Sequence, residues 1–253
     1  MDAIVQYFQH LFSYITFGDF VIIDLIAATT NALNGGLLAQ RPDYYRRNYW
    51  TIVGILLLAV VGGIAGGVTR DIILNKIPGA FTNPWYLILC LLAGVVAMLT
   101  AFGAGQKFRE TYYQFMTSFS LPWYAVIGVQ AALIAKLPGI ACIAIGVIGP
   151  TAGRYFIDLT AERTAKQFVQ GEWFVGAAVI TSVAYLILAQ WLHLSIWPAT
   201  LIAFAVGFCF RVAALWFGWE EPMPRLPPGM FKGEHKRESL EEKMQPDWQP
   251  EEE

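Results

Sequence analysis

The stretch Gly62-Gly63-Ile64-Ala65-Gly66-Gly67-Val68-Thr69-Arg70-Asp71 closes an apolar segment that begins near Thr51. In water, four glycines in ten residues would argue against a helix, because each costs about 1 kcal/mol relative to alanine. Within a run that is otherwise aliphatic they fit a membrane helix. There, small residues three or four apart let backbones approach closely. A second stretch repeats the pattern as Gly146-Val147-Ile148-Gly149-Pro150-Thr151-Ala152-Gly153-Arg154-Tyr155.

The surrounding sequence supports a bilayer setting. Of the 253 residues, 56% are hydrophobic and 14% charged, and the mean hydropathy is +0.49. Soluble domains carry about 25% charged residues. Residues 77–106, 111–135, 137–153 and 173–210 contain no Asp, Glu, Lys or Arg. A bilayer core needs roughly 20 mostly apolar residues per helix, so the runs predict spans over residues 18–38, 51–69, 84–103, 118–136, 138–155, 173–192 and 196–217. Pro84, Pro122, Pro138 and Pro198 fall near the starts of these spans, where a missing N–H costs little.

Lys and Arg fall mostly on one side. The loops and tail on that side hold Arg41, Arg46, Arg47, Lys107, Arg109, Arg154, Arg163 and Lys166, then Arg225, Lys232, Lys236, Arg237 and Lys243. The other side has Arg70, Lys76 and Lys136. Positive residues mark the cytoplasmic face, which puts the N-terminus outside and the C-terminus in the cytoplasm. Arg211 is expected to snorkel to that face. The first 40 residues contain no Lys or Arg, so the first hydrophobic segment is expected to stay in the mature protein.

The organisation reads as two halves. Asp24, Asn31 and Gly35 in the first match Thr117, Tyr124 and Gly128 in the second at the same offsets. Each set is followed by a glycine-rich helix with an arginine near its end, and then by a third apolar helix. Tandem units with an odd number of spans must point in opposite directions, the inverted repeat found in many transport proteins. The fold class is therefore all-α integral membrane, with seven transmembrane helices as two inverted three-helix repeats plus a final helix. The expected divisions are an interfacial segment 1–17, a first repeat 18–105, a second 106–192, a seventh helix 193–219 and a disordered cytoplasmic tail 220–253.

Two readings of the glycines remain open. They serve close helix packing, or they mark kinked or broken helices lining a cavity, with Gly149-Pro150 at one break. Asp24 lies about 9 Å inside the first span by helical rise. It is a functional intramembrane carboxylate, or it lies near enough to the outer interface to be solvated, or it pairs with an arginine. His10, His193 and His235 are scattered, and Cys90, Cys142 and Cys209 lie singly in apolar segments. No metal-ligand spacing, nucleophile elbow or phosphate loop occurs, so catalysis and a bound metal are not expected. A net charge of −2 gives no indication of nucleic acid, and no protein partner is evident.

The block Gly66-Gly67-Val68-Thr69-Arg70-Asp71-Ile72-Ile73-Leu74 resembles the Gly-Gly…Arg-Asp motif of the trimeric intracellular cation (TRIC) channel family. The prokaryotic branch of that family also carries the label of a glycine transporter domain. Asp24-Leu25-Ile26 with Gly35 resembles its first helix, and Arg211 to Trp219 its last. The resemblance covers about residues 18–220. Repeat two departs from the motif at Pro150 and Tyr155, with Asp158 a turn later.

The resemblance implies a homotrimer in a prokaryotic inner membrane, with a pore in each protomer lined by the second and fifth spans. The permeant ions would be potassium and sodium. No cofactor is implied beyond these ions and a bound lipid. Expected pore-lining residues are Gly62, Gly63, Gly66, Gly67, Thr69, Gly146, Gly149, Pro150, Thr151 and Gly153. Asp24, Arg70, Asp71, Arg154 and Asp158 would form the mouths or a gate, and Lys107 and Arg109 would meet lipid headgroups. A leucine at Gly66 or Gly149 is expected to stop flux while leaving the fold largely intact. The alternatives are a secondary transporter for a small neutral solute such as glycine, and a non-conducting scaffold. The Lys-Glu-Val triplet of animal members is absent, so their voltage- and calcium-linked gating is not carried over.

Overall fold

A computed structural model describes residues 18–40, 50–103, 106–161, 165, 167 and 173–221, without the side chains of 101–103 and 106–111. The segments 1–17 and 222–253, assigned above to an interface and a tail, lie outside the described residues, as do the side chains of Lys107 and Arg109. Eight helices are present among the described residues. They are α1 (Asp19–Ala39), α2 (Ile52–Ile73), α3 (Gly79–Thr82), α4 (Pro84–Gly103), α5 (Gln106–Ile134), α6 (Gly139–Thr160), α7 (Val175–Gln190) and α8 (Ile196–Phe217). Five of them, α1, α2, α5, α6 and α8, are long and apolar enough to cross a membrane. Two shorter apolar helices run over Pro84–Thr100 and Val175–Gln190.

The burial pattern is that of a protein in lipid. Leu57, Leu99, Ile140 and Trp216 are exposed, whereas Asp24, Arg70, Arg154, Asp158 and Arg211 are buried. In water the reverse holds, because charged side chains are almost never fully buried unless paired. The chain is a multi-pass membrane protein.

α1 and α5 are the inner posts. α1 packs on α2 and α4, α5 packs on α6 and α7, and the posts touch each other. α2 and α6 cross between the two groups, and α8 lies against α7 and α5. Glycines permit these approaches. A methyl group placed on Gly66 would lie 2.5 Å from the Gly149 carbonyl oxygen, and one on Gly128 would lie 2.7 Å from the Gly146 Cα. A methyl on Gly63 would collide with Cys90 Sγ. Gly153 packs towards Asn31 and the Gly66 backbone.

Two expectations are corrected here. The fourth long helix begins at Gln106 rather than at 118, so Pro122 lies inside it and not near its start. Lys107, Arg109 and Glu110 interrupt the uncharged run, but Lys, Arg and Glu are good helix formers and extend the helix. The glycine-rich helices are also unbroken: α2 continues past Gly67 to Ile73, and α6 continues through Pro150 to Thr160. Thr69 Oγ1 donates to the Ala65 carbonyl at 2.8 Å and Thr151 Oγ1 to the Val147 carbonyl at 2.6 Å. Both hydroxyls are thus turned back onto their own helices.

The geometry separates Gly66 from Gly149. A side chain at Gly66 must displace backbone, so Gly66→Leu is expected to cost stability by about 1–3 kcal/mol or more rather than spare the fold. At Gly149 a methyl group would meet only the Tyr124 carbonyl oxygen, at 3.9 Å. Melting curves in detergent should show a clear drop for Gly66→Leu and none for Gly149→Ala.

Candidate functional site

A polar column runs through the middle of this apolar bundle. One end is built on α1, α2 and α4. Asp24 faces Arg70, which sits near the end of α2, where a cation also complements the helix dipole. The guanidinium forks onto the carboxylate, with Nη1 to Oδ1 and Nη2 to Oδ2 both 2.9 Å. Arg70 Nε donates to Asp71 Oδ1 at 2.8 Å, so all three nitrogens are engaged. Tyr86 on α4 donates its hydroxyl to Asp24 Oδ2 at 2.8 Å. Asp71 Oδ2 accepts the Gly79 N–H at 3.1 Å, tying the start of α3 to the cluster. The Phe20 ring lies 5.8 Å from the guanidinium carbon.

The cluster stands between two spaces. A cavity of about 210 Å³ on the side of the α2–α4 connection is lined by Lys76, Thr82 and Asn83 together with Asp24, Arg70 and Tyr86. On the other side a void of about 10 Å³ is bounded by Gly63, Gly67 and Tyr124 and by the same three cluster residues. It is large enough for about one water molecule.

In the middle, Asn31 Nδ2 donates to the Gly62 carbonyl at 2.6 Å and Tyr124 Oη to the Gly63 carbonyl. Asn34 Nδ2 donates to Ser120 Oγ at 2.8 Å, joining the two posts.

The far end is built on α6. Arg154 Nε donates to Asp158 Oδ2 at 3.1 Å, one turn along the helix. Gln167, in the amide orientation that satisfies both of its ends, donates to the same oxygen at 3.0 Å. The Arg154 guanidinium lies over the Tyr113 and Phe174 rings at 5.3 and 5.9 Å. Ile157 packs with Leu37 and Leu38 at the end of α1 remote from Asp24, so the two charge clusters occupy opposite ends of that helix.

The sequence candidates therefore fall into three groups. Asp24, Arg70 and Asp71 come together, and Arg154 and Asp158 form a second pair. Gly62, Gly63, Gly66, Gly146, Gly149 and Gly153 sit at or beside the central crossings. Arg211 does not snorkel. It is 1% exposed, with its guanidinium 5.2 Å from the Phe174 ring, on which Arg154 also lies. Tyr86 was not anticipated: a tyrosine at the third position of an apolar helix reads as an interfacial anchor. Tyr124 carried a signal only through its match to Asn31.

Solved structures share this architecture. A TRIC channel orthologue from Rhodobacter sphaeroides superposes with a TM-score of 0.69 at 25% identity, covering 79% of this chain and 98% of that one. The chain has the TRIC fold. A second prokaryotic TRIC channel, crystallised in 0.5 M KCl, gives a TM-score of 0.70 at 19% identity, with 79% and 97% coverage. A family model described as "Glycine transporter" matches residues 21–101. The UPF0126 inner membrane protein YadS of Escherichia coli K12 is 24% identical over 207 residues, 80% of this chain and 93% of that protein. A UPF0126 membrane protein of Deinococcus radiodurans is 26% identical over 145 residues, 57% and 64% of the two chains. The TRIC resemblance carried by the sequence is borne out.

Removing one partner from a buried ion pair costs about 3–5 kcal/mol, because the other charge is left uncompensated. Asp24→Ala should lower the melting temperature sharply in detergent. Asp24→Ala with Arg70→Ala together should cost clearly less than the two single losses added, the mark of directly coupled residues. Simple additivity would show that the pair is not coupled.

Proposed function

We propose that this protein is a channel for monovalent cations, potassium and sodium, with a pore in each protomer of a homotrimer. The observation that carries the reading is the polar column, closed by an ion-paired arginine at each end, with a cavity of about 210 Å³ beside the Arg70 cluster. An unpaired arginine would repel a cation. Here Arg70 is matched by two carboxylates and Arg154 by Asp158, so neither end presents a bare positive charge to the path. The likeness to solved channels supports the same reading and gives no support to an enzyme.

In this proposal the pore runs between α2 and α6, the second and fifth of seven spans. Backbone at Gly62, Gly63, Gly66 and Gly67 would form one wall, and backbone at Gly146, Gly149, Pro150 and Gly153 the other. Asp24, Arg70 and Asp71 form one mouth and Arg154 with Asp158 the other. The spans are two inverted repeats, α1–α2–α4 and α5–α6–α7, followed by α8. Their matched packing supports this: Gly35 sits against Leu58 and Ala59 of α2, as Gly128 sits against Ile145 and Gly146 of α6. The charge bias sets the N-terminus outside and the C-terminus in the cytoplasm of a prokaryotic inner membrane. Lys107 and Arg109 would then meet anionic headgroups, and lipid would bind at the trimer.

Purified protein in planar bilayers under a potassium gradient should give discrete unitary currents that reverse near the potassium potential. Saturable glycine uptake into liposomes, with no such currents, would instead make the protein a transporter.

A further inference from the structure

The mouth built around Asp24, Arg70 and Asp71 holds one more carboxylate than it holds guanidinium groups. Pairing cancels one charge of each sign, and a surplus negative charge is left in the cluster. The cavity of about 210 Å³ opens onto all three side chains, and Thr82 and Asn83 add neutral polar groups to its wall. Among the described residues, Lys76 is the one further charged residue that lines it. Its ammonium brings the charge of the whole cavity to zero.

Lys76 is set there by the way α2 ends. Leu74 closes the helix, and Asn75 turns into the left-handed region at a φ of 53°, which asparagine tolerates better than most residues. The Asn75 N–H then donates to the Ile72 carbonyl at 3.0 Å and the Lys76 N–H to the Asp71 carbonyl at 2.8 Å. These bonds satisfy two of the last carbonyls of the helix and tie the Lys76 backbone to that of Asp71. The Asp71 carboxylate is already taken by Arg70 Nε and the Gly79 N–H. Lys76 is exposed and makes no ion pair with a described residue.

Lys136 provides the contrast. It too is exposed and sits in the left-handed region, with a φ of 58°, just past the end of α5. It is not among the residues that line the cavity, whose α5 wall is Ala131.

A charge beside an ion path acts through the ions it gathers or repels, and a cleft with low-dielectric walls focuses its field. At low ionic strength, one unit charge several ångströms from the path changes the local cation concentration about twofold. Salt removes the effect, because the screening length falls to about 3 Å at 1 M.

We infer that Lys76 throttles cation entry at this mouth: its ammonium offsets the surplus carboxylate and keeps the cavity from concentrating potassium. This inference rests on the channel reading and adds a residue that sets the size of the unitary current.

The test is the unitary conductance of full-length Lys76→Gln and wild type in planar bilayers, in symmetric KCl at about 0.05 M and about 1 M. In the dilute salt the variant should conduct about twofold more, and in the concentrated salt the two should agree. Only one mouth is altered, so the extra current should appear for cations entering from that side and bend the current–voltage curve. Lys76→Arg should conduct like the wild type, which separates charge from shape. Lys76→Glu should exceed Lys76→Gln, and it serves as the test if Lys76→Gln does not fold. Lys136→Gln should leave the conductance unchanged. A conducting wild type with unchanged dilute-salt conductance in folded Lys76→Gln overturns this inference and leaves the channel reading standing. So does a rise that persists at high salt, or an equal rise in Lys136→Gln. Silence of the wild type and every variant overturns the channel reading, and the throttle with it.

Discussion

A guanidinium in the interior of a membrane protein must be neutralised where it stands, and the arrangement of α1, α2 and α4 follows from how Arg70 meets that demand. Its five N–H donors need acceptors in one plane, and bidentate geometry fixes the approach of a carboxylate closely. Asp24 supplies the fork from α1, and Asp71, next to Arg70 on α2, covers the remaining Nε edge. Tyr86 from α4 then shares an Asp24 oxygen. Three helices are thereby set in register by one residue. The hydrocarbon around them cannot impose this register, because lipid tails and leucine side chains offer almost the same environment.

The second half answers the same demand differently. Arg154 finds its carboxylate on its own helix, a turn away, and lays its charge over aromatic rings. A cation over a ring is stabilised by up to about 2 kcal/mol or more when water is excluded. The ring it shares with Arg211 joins α6 and α8 through the start of α7. The two ends of the column therefore have unlike constructions: a hydrogen-bonded junction of several helices at one, a local ion pair with aromatic cover at the other.

What could be read from the sequence was whatever depends on composition and local spacing. Apolar run length located the helices, and the glycine-rich blocks with their arginines pointed to the polar column. The four-residue helix at Gly79–Thr82 is too short for any periodic signal and was not foreseen. The start of α5 was set too late because charged residues end a hydrophobic run without ending a helix. Gly149-Pro150 was read as a kink or a break in α6; it is not a break, because proline removes only one hydrogen bond and the surrounding turns carry the helix through to Thr160. Asp24 and Arg70 are 46 residues apart, and nothing local shows that they meet. The roles of Tyr86 and Tyr124 are likewise tertiary, for a tyrosine in an apolar helix looks the same whether its hydroxyl reaches water or a carbonyl.

The contact between Gly66 and the Gly149 carbonyl has a consequence for descent. Glycine is already the smallest residue, so no mutation can make that crossing wider, and every mutation adds bulk. Lineages carrying this fold can alter their mouths, loops and outer faces freely, but at the crossing they can only lose room. Any widening between α2 and α6 must therefore come from a shift of the helices themselves.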